Sequence, residues 1–263
     1  MTPLTTKHLG LLEAESLSKA FGGVPAIENV SFQVSAGEVL CLLGDNGAGK
    51  STLIKTLSGV HRPTSGRIFL DGKAITLRSP REAKALGIAT VHQDVAAIPL
   101  ISVARNFFLG SELKKGWGPF RRLDHVRANE IVLKQVRALG IRRIRDGSQL
   151  IGGMSGGEKQ ALAIARAIYF GGRILILDEP TSALGVKEAE IVLRLIHSAR
   201  SDGIAVILIT HNVHHALSVG DHYVVLIHGK VAADFRRGER GREEILDLMA
   251  GGERLQELSK VVI

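Results

Sequence analysis

One stretch constrains this chain more than any other: Gly44-Asp45-Asn46-Gly47-Ala48-Gly49-Lys50-Ser51-Thr52. An apolar run, Val39 to Leu43, precedes it, and Leu53-Ile54-Lys55-Thr56-Leu57 follows with helical apolar spacing. Strand, glycine-rich turn and helix is the setting in which G-x-x-x-x-G-K-[ST] cradles phosphate. Gly44, Gly47 and Gly49 permit backbone angles closed to residues with a Cβ, so successive N–H groups can line an anion nest. A helix starting near Lys50 adds the positive end of its dipole. Lys50 brings a full charge to the β- and γ-phosphates, and Ser51 offers a hydroxyl to Mg²⁺. The stretch predicts a nucleoside-triphosphate site, and this outweighs the reading as an ordinary glycine turn.

A second landmark is Ile174-Leu175-Ile176-Leu177-Asp178-Glu179. Consecutive apolar residues predict a strand buried on both faces, hence a parallel central sheet. Asp178 and Glu179 fall at its carboxyl end, where open α/β sheets place ligands. There the first carboxylate can hold Mg²⁺ or its water shell, and the second can orient or deprotonate an attacking water. A helix-capping Asp-Glu pair is the weaker alternative.

The remaining elements follow from local pattern. Leu11 to Leu17 and Ile27 to Val34 read as strands, with a turn across Phe21-Gly22-Gly23-Val24-Pro25. Phe21 admits two readings, core filling or a ring for adenine to stack on. Asp71-Gly72 after Arg67 to Leu70 signals a hairpin, and Ser79-Pro80 a capped helix reaching Leu86. Ile88 to His92 is a short strand closed by Gln93, which alone reads as a turn former. From Asp94 to Ile168 helical periodicity takes over, as in His125 to Leu139. Within it, Gly152-Gly153-Met154-Ser155-Gly156-Gly157-Glu158 runs into an alanine-rich helix. A glycine-rich helix start is a possible second anion site, though a weak signal by itself. Lys187 to Ser198 is an amphipathic helix and Ile204 to Ile209 a strand ending at Thr210-His211. An isolated histidine there reads as structural, and His214 and His215 read as surface. Strands at Tyr223 to Ile227 and Val231 to Phe235 meet at His228-Gly229-Lys230, and Glu243 to Met249 forms a last helix.

Composition narrows the class. The chain has 263 residues, 45% hydrophobic and 23% charged, with no apolar run long enough to span a bilayer. Met1 to Lys7 lacks the pattern of a signal peptide. The single cysteine, Cys41, sits in an apolar strand and suits a reducing compartment. A net charge of +8, clustered at Lys114 and Lys115, Arg121 and Arg122, Arg142 to Arg145 and Arg236 to Arg242, suits solvated surface, an anionic membrane or nucleic acid. One Trp and two Tyr leave little for base-stacking platforms.

Taken in order, the phosphate loop, Gln93, Ser155-Gly156-Gly157-Glu158, Asp178-Glu179 and His211 resemble the motif series of the ABC-type ATPases, over roughly residues 11 to 250. The resemblance implies an α/β phosphate-loop core with a mainly parallel sheet, an N-terminal antiparallel β subdomain and an inserted helical subdomain. The chain is then one ATPase domain, 1–263, with its core about 10–93 and 172–235. The helical subdomain is about 94–171 and a helical tail about 236–263. Gln93 resembles the glutamine that contacts Mg²⁺ and water and senses the membrane subunit. Ser155, Gly156 and Gly157 resemble the signature loop that caps the γ-phosphate held by the opposite subunit, with Glu158 beside them. His211 resembles the switch histidine at the γ-phosphate, and Phe21 the ring that stacks on adenine. Glu179 becomes the general base and Asp178 a magnesium ligand.

Two departures stand out: Met154 and Glu158 where the commonest signature has Leu and Gln, and Gly185 where most members carry Asp. The Glu158 carboxylate places an anion near a phosphate, and Gly185 bears on coupling between two ATP sites. The segment Ala183 to Glu188, the loop Gly44 to Ser51, Asn106 to Gly110 and Leu248 to Gly251 resemble the ATPase subunits of bacterial monosaccharide importers, in the single-domain fructose-type branch. The expectation is therefore a cytoplasmic homodimer, peripheral on the inner face of the membrane. It would use ATP and Mg²⁺ and work with a permease and a sugar-binding protein, with no nucleic acid. Other cargoes, or a soluble ATPase acting on nucleic acid or the ribosome, are the alternatives. The DNA-repair type needs a long coiled coil that the chain lacks, and the ribosome type typically pairs two ATPase domains.

Overall fold

The structure, a computed structural model, describes residues 10–251 except 95, 142 and the side chain of 119. The expectations about the first seven residues, Arg142 and the tail beyond 251 lie outside the described residues. The chain divides into two compact units: residues up to Thr90 with Gly171–Glu179 and Ile196 onward, and Val91–Phe170 with Pro180–Leu195.

The first unit opens with β1 (Leu12–Phe21) and β2 (Val24–Val34), paired antiparallel. The turn is tighter than the expected Phe21 to Pro25. Only Gly22 and Gly23 lie between the strands, and Val24 and Pro25 already face Phe21 and Ala20. Pro25 is tolerated because β2 is an edge strand, where a missing N–H costs no ladder bond. Next come β3 (Val39–Leu43), α1 (Lys50–Leu57), β4 (Ser65–Leu70) and β5 (Lys73–Ile75). β4 and β5 hinge on Asp71-Gly72, both at positive φ (49° and 72°), the left-handed pair a two-residue hairpin demands. Together β2-β1-β4-β5 form the four-stranded antiparallel sheet. α2 (Pro80–Ala85) is capped by the Ser79 hydroxyl, which accepts the Glu82 N–H at 3.3 Å, and β6 (Ile88–Val91) follows.

The second unit is mainly helical: α3 (Val103–Phe107), β7 (Lys114–Lys115), β8 (Arg122–Leu123), α4 (His125–Ala138) and α5 (Gly156–Tyr169). Val103, Phe107, Val132, Val136, Ile151 and Leu162 meet in its core. Met154 belongs to the same core at 4% exposure. A flexible apolar side chain of nearly leucine's volume fills that place at small cost, which explains the first departure from the commonest signature. Asn106 ties the start of this unit together. Its Oδ1 accepts the Ile98 N–H, and its amide donates towards the carbonyls of Ile98, Ile101 and Ser102.

The chain continues through β9 (Ile174–Asp178), α6 (Val186–Ser201), β10 (Ala205–Ile209), α7 (Val213–Val219), β11 (His222–Ile227), β12 (Lys230–Arg236) and α8 (Arg242–Met249). The six-stranded sheet runs β12-β11-β3-β10-β9-β6. β11, β3, β10 and β9 are parallel neighbours, and β12 returns antiparallel. Every residue of β3 and β10 is buried. Fully burying a Leu, Ile or Val side chain contributes about 1.5–3 kcal/mol, so these strands fix the ends of the loops they feed.

Candidate functional site

The phosphate loop leaves β3 and enters α1. Gly44 has φ 146° and sits against β11, where a Cβ would stand 2.4 Å from the Leu226 carbonyl oxygen. Gly49, with φ 99°, is the N-cap of α1, and a Cβ there would lie 2.7 Å from the Ala26 carbonyl oxygen. These two glycines are required by close backbone approach as well as by conformation. The first turn of α1 carries no acidic side chain and no side-chain cap bond, so its N–H groups suit an anion. Lys50 is 8% exposed, and its amine donates to the carbonyls of Gly44 (2.7 Å) and Asp45 (2.9 Å). Burial pulls the amine below the usual lysine range, opposed by the carboxylates of Glu179, Asp45 and Asp178 in that order.

Those carboxylates are therefore electrostatic neighbours of the loop, as their strand ends require. Asp178 closes β9 beside Ile209 of β10. Glu179 follows at φ 47°, a conformation costly for a residue with a long side chain, and its N–H donates to the Ile209 carbonyl at 3.0 Å. Strain of this sort collects where geometry serves a task. His211, two residues past β10, turns towards the same carboxylate. Its Nδ1 lies 2.8 Å from Glu179 Oε1, and its backbone N–H donates to that oxygen at 3.1 Å.

Phe21, at the end of β1, is 45% exposed, which removes the core reading. His61 lies edge-on to its ring at 5.1 Å between centroids, and the Lys19 ammonium stands 5.0 Å from the ring centre. Lys19 precedes Phe21 by two residues on the same strand, whereas His61 was not foreseeable, because it comes from a different segment and carries no motif.

Gln93, Ser155, Gly156, Gly157 and Glu158 belong to the second unit. Gln93 is exposed in a bend just after β6. Ser155 caps α5 in a reciprocal arrangement: its hydroxyl accepts the Glu158 N–H at 3.3 Å, and the Glu158 carboxylate accepts the Ser155 N–H at 2.8 Å. The unusual acid thus completes a capping box. Gly157 packs on the first turn of α6, where a Cβ would come within 2.6 Å of the Glu188 Cβ. Gly185 lies in open space, with only Glu188 Oε2 at 4.0 Å from a Cβ built there. Its N–H is directed at the same oxygen at 3.3 Å.

A parallel sheet whose strand β3 feeds this glycine-rich loop into a helix, with acids at the end of β9 one strand beyond β10, defines a phosphate-loop nucleotide-binding protein. Residues 27–182 match the family model described as ABC transporter, and the chain belongs to that family. It is 41% identical over 239 residues to the xylose/arabinose import ATP-binding protein XylG of Sulfolobus acidocaldarius, covering 91% of this chain and 93% of that one. With the fructose import ATP-binding protein FrcA of Rhizobium meliloti it shares 43% identity over 216 residues, covering 80% and 82%. The galactofuranose transporter ATP-binding protein YtfR of Escherichia coli is 38% identical over 250 residues, but this chain spans only 49% of it. A solved nucleotide-free ATP-binding cassette from an ABC transporter superposes with a TM-score of 0.76 at 25% identity, covering 90% of this chain and 95% of that one. The ADP conformation of the ATP-binding cassette MJ1267 gives 0.76 at 26%, covering 94% and 98%. By its family the chain binds ATP and is an ATPase. No helix among the described residues is long and apolar enough to cross a membrane.

Proposed function

We propose that this chain is the ATP-hydrolysing subunit of a monosaccharide importer, working with a separate permease and a sugar-binding protein. The observation that carries the reading is its likeness, over most of both chains, to two proteins named for sugar import. It acts on the cytoplasmic face as a head-to-tail homodimer. Each ATP lies between one subunit's phosphate loop, Gly44 to Thr52, and the other's Ser155-Gly156-Gly157. The domain plan is a single ATPase domain, with the helical insertion about 94–171 passing motion to the permease.

The residues divide the work. Gly44, Asp45, Asn46, Gly47, Ala48 and Gly49 present backbone N–H groups to the phosphates, Lys50 supplies charge, and Phe21 stacks on adenine. The donor set suits Mg²⁺: the Ser51 hydroxyl, the Asp178 carboxylate and the Gln93 amide are hard oxygens. No cluster of three or more metal-binding His, Cys, Asp or Glu exists among the described residues. When bound, the ion supplies neutralisation of developing phosphate charge. Glu179 takes the proton of the attacking water as its oxygen bonds to the γ-phosphorus, and the bond to the β-bridging oxygen breaks to give ADP and phosphate. His211, with Nδ1–H donated to Glu179, orients that base and turns its other ring nitrogen to the γ-phosphate. ATP favours the closed dimer more than ADP does, and that difference drives the cycle.

The test is ATP turnover with Mg²⁺ across a range of protein concentrations, then with the permease reconstituted. Turnover per subunit that rises with concentration supports composite sites. Turnover that is absent in both settings, although ATP binds, overturns the reading.

A further inference from the structure

The second unit carries a hairpin that none of the roles above uses. In it Lys114 pairs with Leu123 and Lys115 with Arg122. The Asp124 N–H donates to the Leu113 carbonyl at 2.8 Å, and the Phe120 N–H to that of Trp117 at 3.1 Å. Gly116 has φ 96°, and a Cβ there would lie 2.6 Å from the Phe120 carbonyl oxygen, so this tip is a built turn. Trp117 is 86% exposed and Phe120 79%, with Val126 beyond them at 63%. Lys114, Lys115, Arg121 and Arg122 flank the rings, all exposed, and no acid falls between Leu113 and Leu123. Of the bordering acids, Glu112 accepts the Gly110 N–H, while Asp124 caps α4 and also lies 3.8 Å from the Lys115 amine.

Two large rings left in water at a turn forgo burial that a core would reward. A Trp and a Phe at a tip ringed by four cations are matched to a bilayer interface, where aromatic rings sit at headgroup depth and Lys and Arg reach lipid phosphates. We propose that the hairpin Lys114 to Arg122 docks on an anionic phospholipid surface. Trp117 and Phe120 enter the interface, and Lys114, Lys115, Arg121 and Arg122 engage the headgroups. This rests on the reading of the chain as a subunit working beside a membrane. Single-stranded nucleic acid also seeks cations and rings, but it needs a groove that tracks its backbone. This feature is an exposed turn bordered by the aliphatic Leu123 and Val126.

Trp117 is the chain's single tryptophan, so its emission reports this contact alone. The full chain is titrated with phosphatidylcholine vesicles with and without phosphatidylglycerol, and ATP binding is measured on the same sample. The expected result is a saturable blue shift with the anionic vesicles only, suppressed at high salt. Replacing Lys114 and Lys115 by Gln weakens partitioning by about 25-fold, roughly fivefold for each lost cation. Trp117→Ala/Phe120→Ala, followed by cosedimentation, loses the vesicles and keeps ATP. An unmoved emission in a sample that binds ATP overturns the proposal and leaves the transport reading intact. Vesicle binding without ATP binding does the reverse. A shift seen only with single-stranded DNA, or only with the reconstituted permease, also overturns it.

Discussion

One carboxylate oxygen, Glu179 Oε1, receives two contacts from His211: the ring Nδ1 at 2.8 Å and the backbone N–H at 3.1 Å. The histidine therefore aims the carboxylate. Replacing Glu179 by Gln removes the proton acceptor while keeping the shape, and should abolish hydrolysis with ATP binding retained. His211→Ala loses the ring contact but keeps the backbone one, so turnover should fall by about 10²–10⁴-fold. Single-turnover hydrolysis and equilibrium nucleotide binding separate the two effects. Steady turnover by the Gln variant would take the base role away from Glu179.

Phe21 stands in water with His61 edge-on to it. If the ring stacks on adenine, Phe21→Ala weakens ATP binding by about 1–3 kcal/mol, the worth of one base on an aromatic ring. Phe21→Tyr restores it. Titration calorimetry reads both, and an alanine variant with unchanged affinity defeats the assignment.

Glu158 offers a clean separation of cap from charge. Gln at the same helix position can still close a capping box, whereas Ala cannot and should cost about 1 kcal/mol. Thermal unfolding should accordingly drop by about 2–4 °C for Glu158→Ala and stay nearly constant for Glu158→Gln. If ATP closes the proposed homodimer, the Gln variant, rid of an anion beside Ser155-Gly156-Gly157, should form it at lower protein concentration. Equal melting losses in both variants would count against the capping box.

The folded chain should hide its one thiol. Cys41 is fully buried in β3, and its Sγ–H points at the Ala216 carbonyl at 3.7 Å. Burial, and secondarily the Asp221 charge, push the thiol far above its usual range, against a smaller pull from Arg237. The native state thus keeps a proton that the unfolded chain gives up near pH 8.5. Stability from this group is complete below that pH and declines above it, by at most about 1.4 kcal/mol per pH unit. Denaturant unfolding between neutral and alkaline pH should show the decline, and Cys41→Ala should flatten it. Alkylation of the native protein at a rate typical of an exposed thiol would contradict the burial.

What local chemistry dictates could be read directly. The loop before α1, the Asp71-Gly72 hairpin and the apolar runs of β3, β9 and β10 each announce themselves within a few residues. Features decided by distant partners could not. Pro25 reads as a turn residue until β2 is known to be a sheet edge. Phe21 reads as core filling or as a ring for adenine until its exposure is known. The acid at Glu158 looks like a liability beside phosphate, yet its carboxylate is directed to the Ser155 N–H. Asn106 hides a four-way anchor, to one N–H and three carbonyls, that no spacing signals. Of the candidate site, the residue types and their strand-end positions were legible, whereas the Glu179–His211 contact depends on how β9 and β10 pair.

Gly157 approaches the Glu188 backbone so closely that no side chain separates them, and a Cβ on Gly156 would meet Leu184 Cδ2 at 3.1 Å. Close-packed contacts of this kind transmit displacement instead of absorbing it. The turn bearing Ser155 and the segment from Leu184 to Glu188 consequently behave as a single lever. A shift imposed at Gly185 reaches the Ser155 hydroxyl through one interhelical step, giving the chain a mechanical route between these segments that does not depend on an aspartate at position 185.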